Sequence, residues 1–293
     1  MQRLLKAALI GNISGLGVHW IYDRPFLETL SQHQSLIFRV QDKEIYEKAK
    51  KSFYVYPNKP LGSVSTQGMF LYWLSNALTT NPNLTQTDYK NLLFNKIKPG
   101  GSYSGYIESY AKKMIIEELS KDLSLELPVL PKTDDHLVGF IPYIAYKAHQ
   151  LDLTHALKLT QLFSNLNEYQ DFFNVFDILL SPSGLNLIES LKKSIHQAPP
   201  HYKLALEQAL ITQDLDLFIN EHSGIACQIN QSIPLIFYIL SHSNSFEDML
   251  HLNAKLGGAT ADRGLILGMI GSIYYDIPDK FINMLDLSIL EKQ

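Results

Sequence analysis

Apolar residues recur at three- and four-residue spacing along most of this 293-residue chain. In one clear case, Leu235, Tyr238 and Ile239 fall on one face of a helix. A short alternation over 53–56 has strand periodicity, but no partner strand is evident. The pattern therefore predicts an all-α fold, a compact bundle of roughly a dozen helices. The predicted helices span 3–16, 67–79, 87–95, 103–119, 137–149, 153–164, 185–196, 202–211, 232–242, 246–255 and 261–275.

The composition and the turn residues further narrow the class of protein to which this chain can belong. A hydrophobic content of 46% without a low-complexity tract indicates a globular chain rather than a disordered one. Glycine- and proline-rich turns separate the helices without a linker long enough to force a domain boundary, so we expect one domain spanning 1–293. A net charge of −4 without a Lys/Arg run argues against a nucleic-acid partner.

Cysteine use and hydropathy indicate where the protein acts. The one cysteine, Cys227, can form neither an internal disulfide nor a thiolate zinc site, and its apolar surroundings favour a buried, unreactive residue. This usage is typical of the cytoplasm, where we expect the protein. No stretch approaches the roughly 18 consecutive apolar residues that a membrane span needs, so we expect no membrane partner.

A glycine-rich stretch, 11–17, leads into the first candidate site, formed by His19, Trp20, Tyr22 and Asp23. Small residues let a helix approach a neighbour closely, and the four following side chains offer a stacking surface, hydrogen-bonding groups and a carboxylate. The same pattern is typical of a packing seam that ends in an aromatic loop. The spacing alone leaves both interpretations open.

The loop 99–108 is the second candidate. Its glycines expose backbone N–H groups just before a predicted helix start, an arrangement that can hold a phosphate, and its tyrosines can stack on a base. The loop matches neither the Walker nor the dinucleotide fingerprint, and most glycine-rich turns bind nothing. The candidate ligand-binding residues here are Gly100, Gly101, Ser102, Tyr103, Gly105, Tyr106 and Glu108.

Two adjacent carboxylates, Asp134 and Asp135, precede the predicted helix 137–149. Adjacent carboxylates repel each other, which can raise the pKa of one or let the pair share a metal ion, and a carboxylate can serve as a catalytic base. The same position also suits helix N-caps, which is the alternative interpretation.

The fourth candidate is a Gly257-Gly258 turn that opens the predicted helix 261–275. Thr260 and Asp262 lie in its first turn, where oxygen ligands and anions are both favoured. Arg263 can pair with Asp262 or with a neighbour instead, which would make this a structural feature.

Taken in order, these segments resemble the ADP-ribosylglycohydrolase family over about residues 4–278. The stretch 11–15 is similar to the family's G-D-A-L-G opening, and 19–23 is similar to the H-W-x-Y-D of a bacterial branch. The loop 105–108 resembles the family's G-Y-I-D loop near the bound ADP-ribose. The stretch 257–271 resembles its G-G-D-x-D/S helix.

The resemblance implies an all-α domain with a binuclear Mg²⁺ site that hydrolyses the bond between ADP-ribose and an acceptor. It also implies that the partner is an ADP-ribose-like small molecule or an ADP-ribosylated substrate. On the family pattern, the metal-site positions are Asn12, Ser65, Thr66, Thr260 and Asp262.

Most carboxylates of the family's metal motifs are replaced in this chain. The opening Asp is Asn12, the T-D-D-T motif falls on 64–67, which holds no acid, and the closing motif has Ala259 and Ala261. Two Mg²⁺ ions carry four positive charges, which hydroxyls and one amide cannot neutralise. We therefore expect the magnesium site to be lost or badly weakened.

Three functions are compatible with the sequence. The first is a catalytically degenerate relative that binds ADP-ribose or a related nucleotide with weak or no hydrolysis. The second is an active glycosidase with a reduced acid set, in which Asp134 or Asp135 activates water while Asp23 or Glu108 orients the ribose. The third is a structural or protein-interaction role on a borrowed enzyme fold. The missing acids favour the first over the second.

Overall fold

The computed structural model describes residues 3–122, 136–164 and 167–292. These residues form seventeen α-helices and one 3-10 helix, which confirms the predicted all-α class. No helix within these ranges combines the length and the apolar character that crossing a membrane requires. In chain order the helices are α1 (Arg3–Leu16), α2 (Arg24–Ser31), α3 (Lys43–Lys48), α4 (Thr66–Thr80), α5 (Gln86–Ile97), α6 (Ser109–Asp122), the 3-10 helix (Leu137–Phe140), α7 (Ile141–His149), α8 (Leu153–Thr160), α9 (Glu168–Leu180), α10 (Leu187–Ile195), α11 (Pro200–Ile211), α12 (Leu215–His222), α13 (Ile229–Ser241), α14 (Phe246–Leu256), α15 (Thr260–Tyr274), α16 (Asp279–Ile282) and α17 (Leu287–Glu291).

Side-chain caps fix where several helices begin. The Ser65 hydroxyl accepts a backbone N–H from the first turn of α4. Thr85 and Asp88 form a reciprocal capping box at the start of α5, and Asn186 and Glu189 form another at α10. Each cap satisfies N–H groups that have no partner within the helix, typically contributing about 1 kcal/mol.

One predicted boundary is wrong in a way that affects a candidate site. The spacing predicts a helix over 103–119, whereas α6 begins at Ser109. The preceding residues form a loop, in which the Tyr103 N–H donates to the Lys96 carbonyl at 3.0 Å. Gly100 and Gly101 therefore lie well before the start of α6, and not at a helix N-terminus as the predicted phosphate site requires.

The structure also contains a helix, α9, that the apolar spacing does not reveal. Its central stretch 172–176 is dominated by buried aromatic and branched side chains, so that helical periodicity is hidden in a nearly continuous apolar run. The alternation over 53–56 forms no strand within the described residues. Beside it, Ser52 makes one isolated antiparallel bridge with Ile21.

The first helix and α15 cross at backbone contact distance in the centre of the core. Nearly all of α15 is buried, as is most of α1. A Cβ atom on Gly11 would overlap the Gly264 carbonyl, and one on Gly264 would overlap the Gly11 carbonyl. Gly268 meets the Ala7 carbonyl in the same way. Only glycine permits this approach, because the overlapping atoms belong to backbone that cannot rotate away.

The crossing brings two candidate segments from opposite ends of the sequence together. The Thr260 hydroxyl donates to the Gly15 carbonyl at 2.8 Å. The Trp20 N–H donates to the Gly258 carbonyl, and the Gly258 N–H donates to the Ile21 carbonyl, both at 2.7 Å. Trp20 and Gly258 both adopt left-handed backbone angles, with φ of 67° and 65°. This reciprocal pairing fixes the aromatic segment against the start of α15.

Replacement of Gly264 by alanine should lower the free energy of unfolding by about 2 kcal/mol or more, because the new methyl group must separate α1 from α15. Urea denaturation of Gly264→Ala and of wild type measures the difference. The control is Glu207→Ala on the exposed side of α11, which should stay within about 0.5 kcal/mol of wild type. A Gly264→Ala protein as stable as that control would show that the crossing tolerates a side chain.

Candidate functional site

A buried hydrogen-bond network joins α1, α4 and α15 at the predicted metal positions. The Asn12 Oδ1 accepts the Ser65 N–H at 2.8 Å. Its Nδ2 donates to the Ser65 Oγ at 2.8 Å and to the Ala261 carbonyl at 2.9 Å. The Ser65 Oγ in turn donates to Oδ1 of Asp262 at 3.0 Å. The amide and the hydroxyl therefore bond to protein groups on every side.

Thr66 connects the same helix start to the loop that precedes α6. Its hydroxyl bonds to the Tyr106 carbonyl and lies 3.1 Å from the Tyr56 hydroxyl and 3.0 Å from the Tyr103 hydroxyl. The Tyr56 hydroxyl also accepts the Thr66 N–H at 3.0 Å. Thr66 is thus a buried structural junction that holds the Tyr103–Tyr106 loop over the start of α4.

His19 and Asp262 face each other without completing a hydrogen bond. The His19 Nδ1 accepts the Ala261 N–H at 3.2 Å, so the neutral ring carries its proton on Nε2. That Nε2 lies 3.6 Å from Oδ2 of Asp262, beyond normal hydrogen-bond distance. Burial, with a smaller contribution from nearby Arg263, lowers the pKa of His19 to about 3. Burial also raises the pKa of Asp262 to about 7, against the opposing Ser65 hydrogen bond and the Arg263 charge.

Glu108 brings a second buried carboxyl to this place. Burial first, and the charge of Asp262 second, raise the pKa of Glu108 well above its usual range. The Tyr110 hydroxyl and the Gln67 side chain are close enough to lower that pKa in smaller measure. Neither completes a hydrogen bond of normal geometry, and Oε1 of Glu108 has no partner among the described residues.

Several buried polar atoms at this site share that lack of a partner within the described part of the chain. They come from four separate chain segments and reach one another through the contacts just given. A buried donor or acceptor without a partner costs about 1–3 kcal/mol, so such a concentration is unusual in a folded core. The atoms are His19 Nε2, both polar atoms of the Gln67 side chain, Glu108 Oε1, the Tyr110 hydroxyl and Asp262 Oδ2, and we call these five residues the polar cluster.

Half-exposed aromatic residues surround the polar cluster. The Trp20 ring stacks on His19 with centroids 4.9 Å apart and meets the Tyr106 ring edge-on at 5.3 Å. Tyr22 interacts electrostatically with Asp262 and Glu108, and burial is the main cause that raises its pKa. Tyr22 also lines a neighbouring cavity of about 630 Å³. The predicted stacking surface therefore lies next to the polar cluster.

The remaining residues of the first two candidates have other positions. Both carboxylate oxygens of Asp23 accept backbone N–H groups, one capping α2 and one from Lys50, so Asp23 has a structural role. Gly100 is exposed, and a Cβ atom added to it would have no other atom within 4 Å. Gly101 donates its N–H to the Lys98 carbonyl, and Ser102 borders a separate cavity of about 330 Å³. These three residues are not among the contacts that join the polar cluster.

The third candidate pair, Asp134 and Asp135, lies outside the described residues. His136, which follows them, is described and forms an isolated bridge with Gln228. The roles predicted for the two aspartates therefore stay predictions.

Sequence reasoning missed several residues that the structure brings to the site. Gln67 and Tyr110 belong to the polar cluster, and their only sequence signal is that each lies next to a predicted motif. Cys227 is half-exposed rather than buried as predicted. Arg263 is buried and donates to the Asn253 Oδ1 and to two backbone carbonyls, so of the two predicted pairings it forms the one with neighbouring groups.

Comparison with solved structures identifies the fold. A solved structure described as "ADP-ribosylglycohydrolase-related protein complex" matches this chain with a TM-score of 0.67, over 99% of this chain and 95% of that chain. The chain has an ADP-ribosylglycohydrolase-like fold. The aligned sequences are 13% identical, and neither a family profile nor a curated protein matches the sequence. The fold predicted from the resemblance is thereby confirmed.

The residues at the predicted metal positions do not fit a binuclear Mg²⁺ site. Asp262 is the one acid among them. Burial raises its pKa to about 7, so below that pH most of the carboxyl is protonated. The Asn12 amide and the Ser65, Thr66 and Thr260 hydroxyls bond to protein groups. No group of three or more His, Cys, Asp or Glu residues suited to a metal ion occurs within the described ranges.

The pKa of Asp262 predicts how the stability of the protein depends on pH. The folded-state pKa of about 7 exceeds the unfolded value of about 3.9, so wild type loses stability as the pH rises from about 4 to 7. Asp262→Asn does not titrate there. Its free energy of unfolding relative to wild type should therefore increase over that range, by at most about 4 kcal/mol, and level off above it.

Urea denaturation at a series of pH values measures this difference. The charge of Asp262 also contributes to the raised pKa of Glu108. Its removal in the variant reduces the stability that Glu108 loses as the pH rises, so the limit of about 4 kcal/mol refers to Asp262 alone and Glu108 adds to it. The control is Asp276→Asn at an exposed position, which should show no such rise. A flat difference between Asp262→Asn and wild type would show that Asp262 is ionised throughout.

Proposed function

We propose that this protein binds an ADP-ribose-like nucleotide at the polar cluster and its aromatic rim, without a binuclear magnesium site. One observation carries the proposal: polar atoms from four chain segments converge in the core and have no partner within the described residues. Hydroxyl groups of a sugar can both donate and accept hydrogen bonds. A ribose would therefore satisfy the carboxyl, amide, imidazole and phenol groups that the protein leaves unbonded.

The surroundings of the cluster suit the other parts of such a ligand. The half-exposed rings of Trp20 and Tyr106 can stack on an adenine base. Exposed lysines lie over two rings of the rim, with the Lys112 Nζ 4.8 Å from the Tyr106 centroid and the Lys51 Nζ 5.2 Å from that of Tyr22. Two exposed cations beside an aromatic surface favour a diphosphate linkage.

The network around Asn12 supports binding without the two metal ions. In a site built for Mg²⁺, oxygen atoms point at the cation. Here the Asn12 Nδ2 donates towards the Ser65 hydroxyl and the Ala261 carbonyl, which places an N–H group among the oxygens that would have to coordinate. The three groups thus stabilise one another, and the cluster beyond them remains available to a neutral sugar.

A second candidate function, metal-independent hydrolysis, is favoured by the raised pKa values of Glu108 and Asp262. A carboxyl that keeps its proton near neutral pH can protonate the leaving group of a glycosidic bond. Release of ADP-ribose from ADP-ribosylated arginine and serine peptides in EDTA would support this function. If it occurs, Asp134→Asn plus Asp135→Asn tests whether either aspartate is the base.

Calorimetric titration of the protein with ADP-ribose in EDTA, and then in Mg²⁺, should give the same affinity in both buffers. Equal affinity is expected because no carboxylate set at the metal positions can couple ligand binding to the cation. Binding that strengthens clearly in Mg²⁺ would overturn the metal-free assignment. No binding in either buffer would overturn the ligand assignment and favour the protein-interaction role.

Matched tyrosine variants then locate the ligand. Tyr110→Phe should weaken ADP-ribose binding about 2- to 10-fold, because it removes a hydroxyl that the ligand would satisfy. Tyr89→Phe is the control, since the Tyr89 hydroxyl on α5 is also buried and also lacks a partner among the described residues, but takes no part in the contacts of the polar cluster. Equal affinities for the two variants would place the ligand elsewhere.

A further inference from the structure

The stretch that contains Cys227 is held beside the site by its backbone. The Ile225 carbonyl accepts the Ala259 N–H and a guanidinium N–H of Arg263, both at 2.9 Å. The Cys227 carbonyl accepts the Leu137 N–H at 3.1 Å. These bonds tie the segment before α13 both to the start of α15 and to the segment that begins at His136.

The same pairing brings a thiol and an imidazole together. The Cys227 Sγ lies 3.8 Å from Nδ1 of His136, a distance at which sulfur forms hydrogen bonds. The Tyr169 hydroxyl donates to the His136 carbonyl at 2.7 Å and fixes that residue's backbone. The His136 ring meets the Tyr110 ring edge-on, with centroids 6.5 Å apart. The imidazole is thus held between the thiol and the polar cluster.

Two features of the site favour the thiolate form of the cysteine, which is its nucleophilic form. Cys227 lies directly before Gln228, the N-cap of the thirteen-residue helix α13, whose first turn contains no acidic residue. The N-terminal end of a helix carries a partial positive charge, and a neighbouring imidazole can take the thiol proton. Cys227 is also half-exposed, so a small molecule can reach it.

Two further contacts connect the Cys227–His136 pair to the polar cluster. The hydroxyl of Tyr110 is buried and has no partner among the described residues, although its ring contacts His136. Cys227 also interacts electrostatically with Tyr22 and with Arg263. The thiol therefore lies on the border of the polar cluster and not in an unrelated part of the surface.

We propose that Cys227 and His136 form a reactive centre at the edge of the polar cluster, in which Cys227 is a nucleophile for small carbon electrophiles and His136 positions and deprotonates it. With iodoacetamide, the thiol proton passes to Nδ1 of His136, a sulfur–carbon bond forms, and iodide leaves with the electron pair of the carbon–iodine bond. This reactivity does not depend on whether the polar cluster binds ADP-ribose.

Alkylation of the intact protein by iodoacetamide at pH 7, followed by mass spectrometry, tests the proposal. Cys227 is the one cysteine of the chain, so the mass increase reports on it alone. An unperturbed thiol is only a few per cent ionised at this pH. The folded protein should therefore react roughly tenfold faster than the same chain in concentrated urea. A folded protein that reacts no faster than the unfolded chain would overturn the proposal.

A pair of histidine variants separates the role of the imidazole from accessibility. His136→Gln should lower the alkylation rate of the folded protein about tenfold, whereas the control His201→Gln, at an exposed position on α11, should leave it unchanged. Thermal melting establishes that each variant is folded. An unchanged rate in folded His136→Gln would overturn the role of His136. If that variant does not fold, the comparison of folded with unfolded wild type decides.

Discussion

The backbone contact between Gly11 and Gly264 is the constraint on which the candidate site depends. It joins helices from the two ends of the sequence at a distance that no side chain allows. One residue beyond Gly11, the Asn12 amide consequently reaches the Ala261 carbonyl. Further along, His19 accepts the Ala261 N–H and faces Asp262. Hydrogen bonds tolerate displacements of only a few tenths of an ångström, so a wider crossing would undo each of these contacts.

Charge balance explains why neutral residues at the predicted metal positions fit together. A cluster of carboxylates in the core is stable only with cations between them, because like charges in a medium of low polarity repel strongly. The N–H group of Asn12 faces the neighbouring oxygens. Neutral Ser65 and Ala261 fit that environment better than carboxylates, and the one remaining acid, Asp262, keeps a proton at a raised pKa. The network of Asn12, Ser65 and Asp262 is therefore stable without a metal ion, because its groups are neutral or hydrogen-bonded to one another.

Sequence reasoning predicted the parts of this molecule that depend on local pattern. The spacing and the turn residues gave the all-α class and the long helices α1, α4 and α15. The pattern could not show that residues 103–108 fold as a loop, since the tertiary contacts of Tyr103 decide it. Nor could it show Gln67 and Tyr110 in the site, or Cys227 beside His136, because chain segments distant in sequence create those contacts. Burial without a partner is a property of the folded chain and has no signature in one sequence.

Arg263 and Asp262 are neighbours in α15, and the structure satisfies the buried polar atoms of the first residue but not all those of the second. The Arg263 guanidinium is completely buried, yet Nε donates to the Asn253 Oδ1 and the two terminal nitrogens donate to the Ile225 and Gly257 carbonyls. One residue away, Asp262 has an unbonded oxygen at a cost of about 1–3 kcal/mol. This part of the core therefore does supply hydrogen-bond partners to a buried charged side chain. The contrast within one helical turn therefore favours recognition of a ligand as the reason that Asp262 and its neighbours are left open.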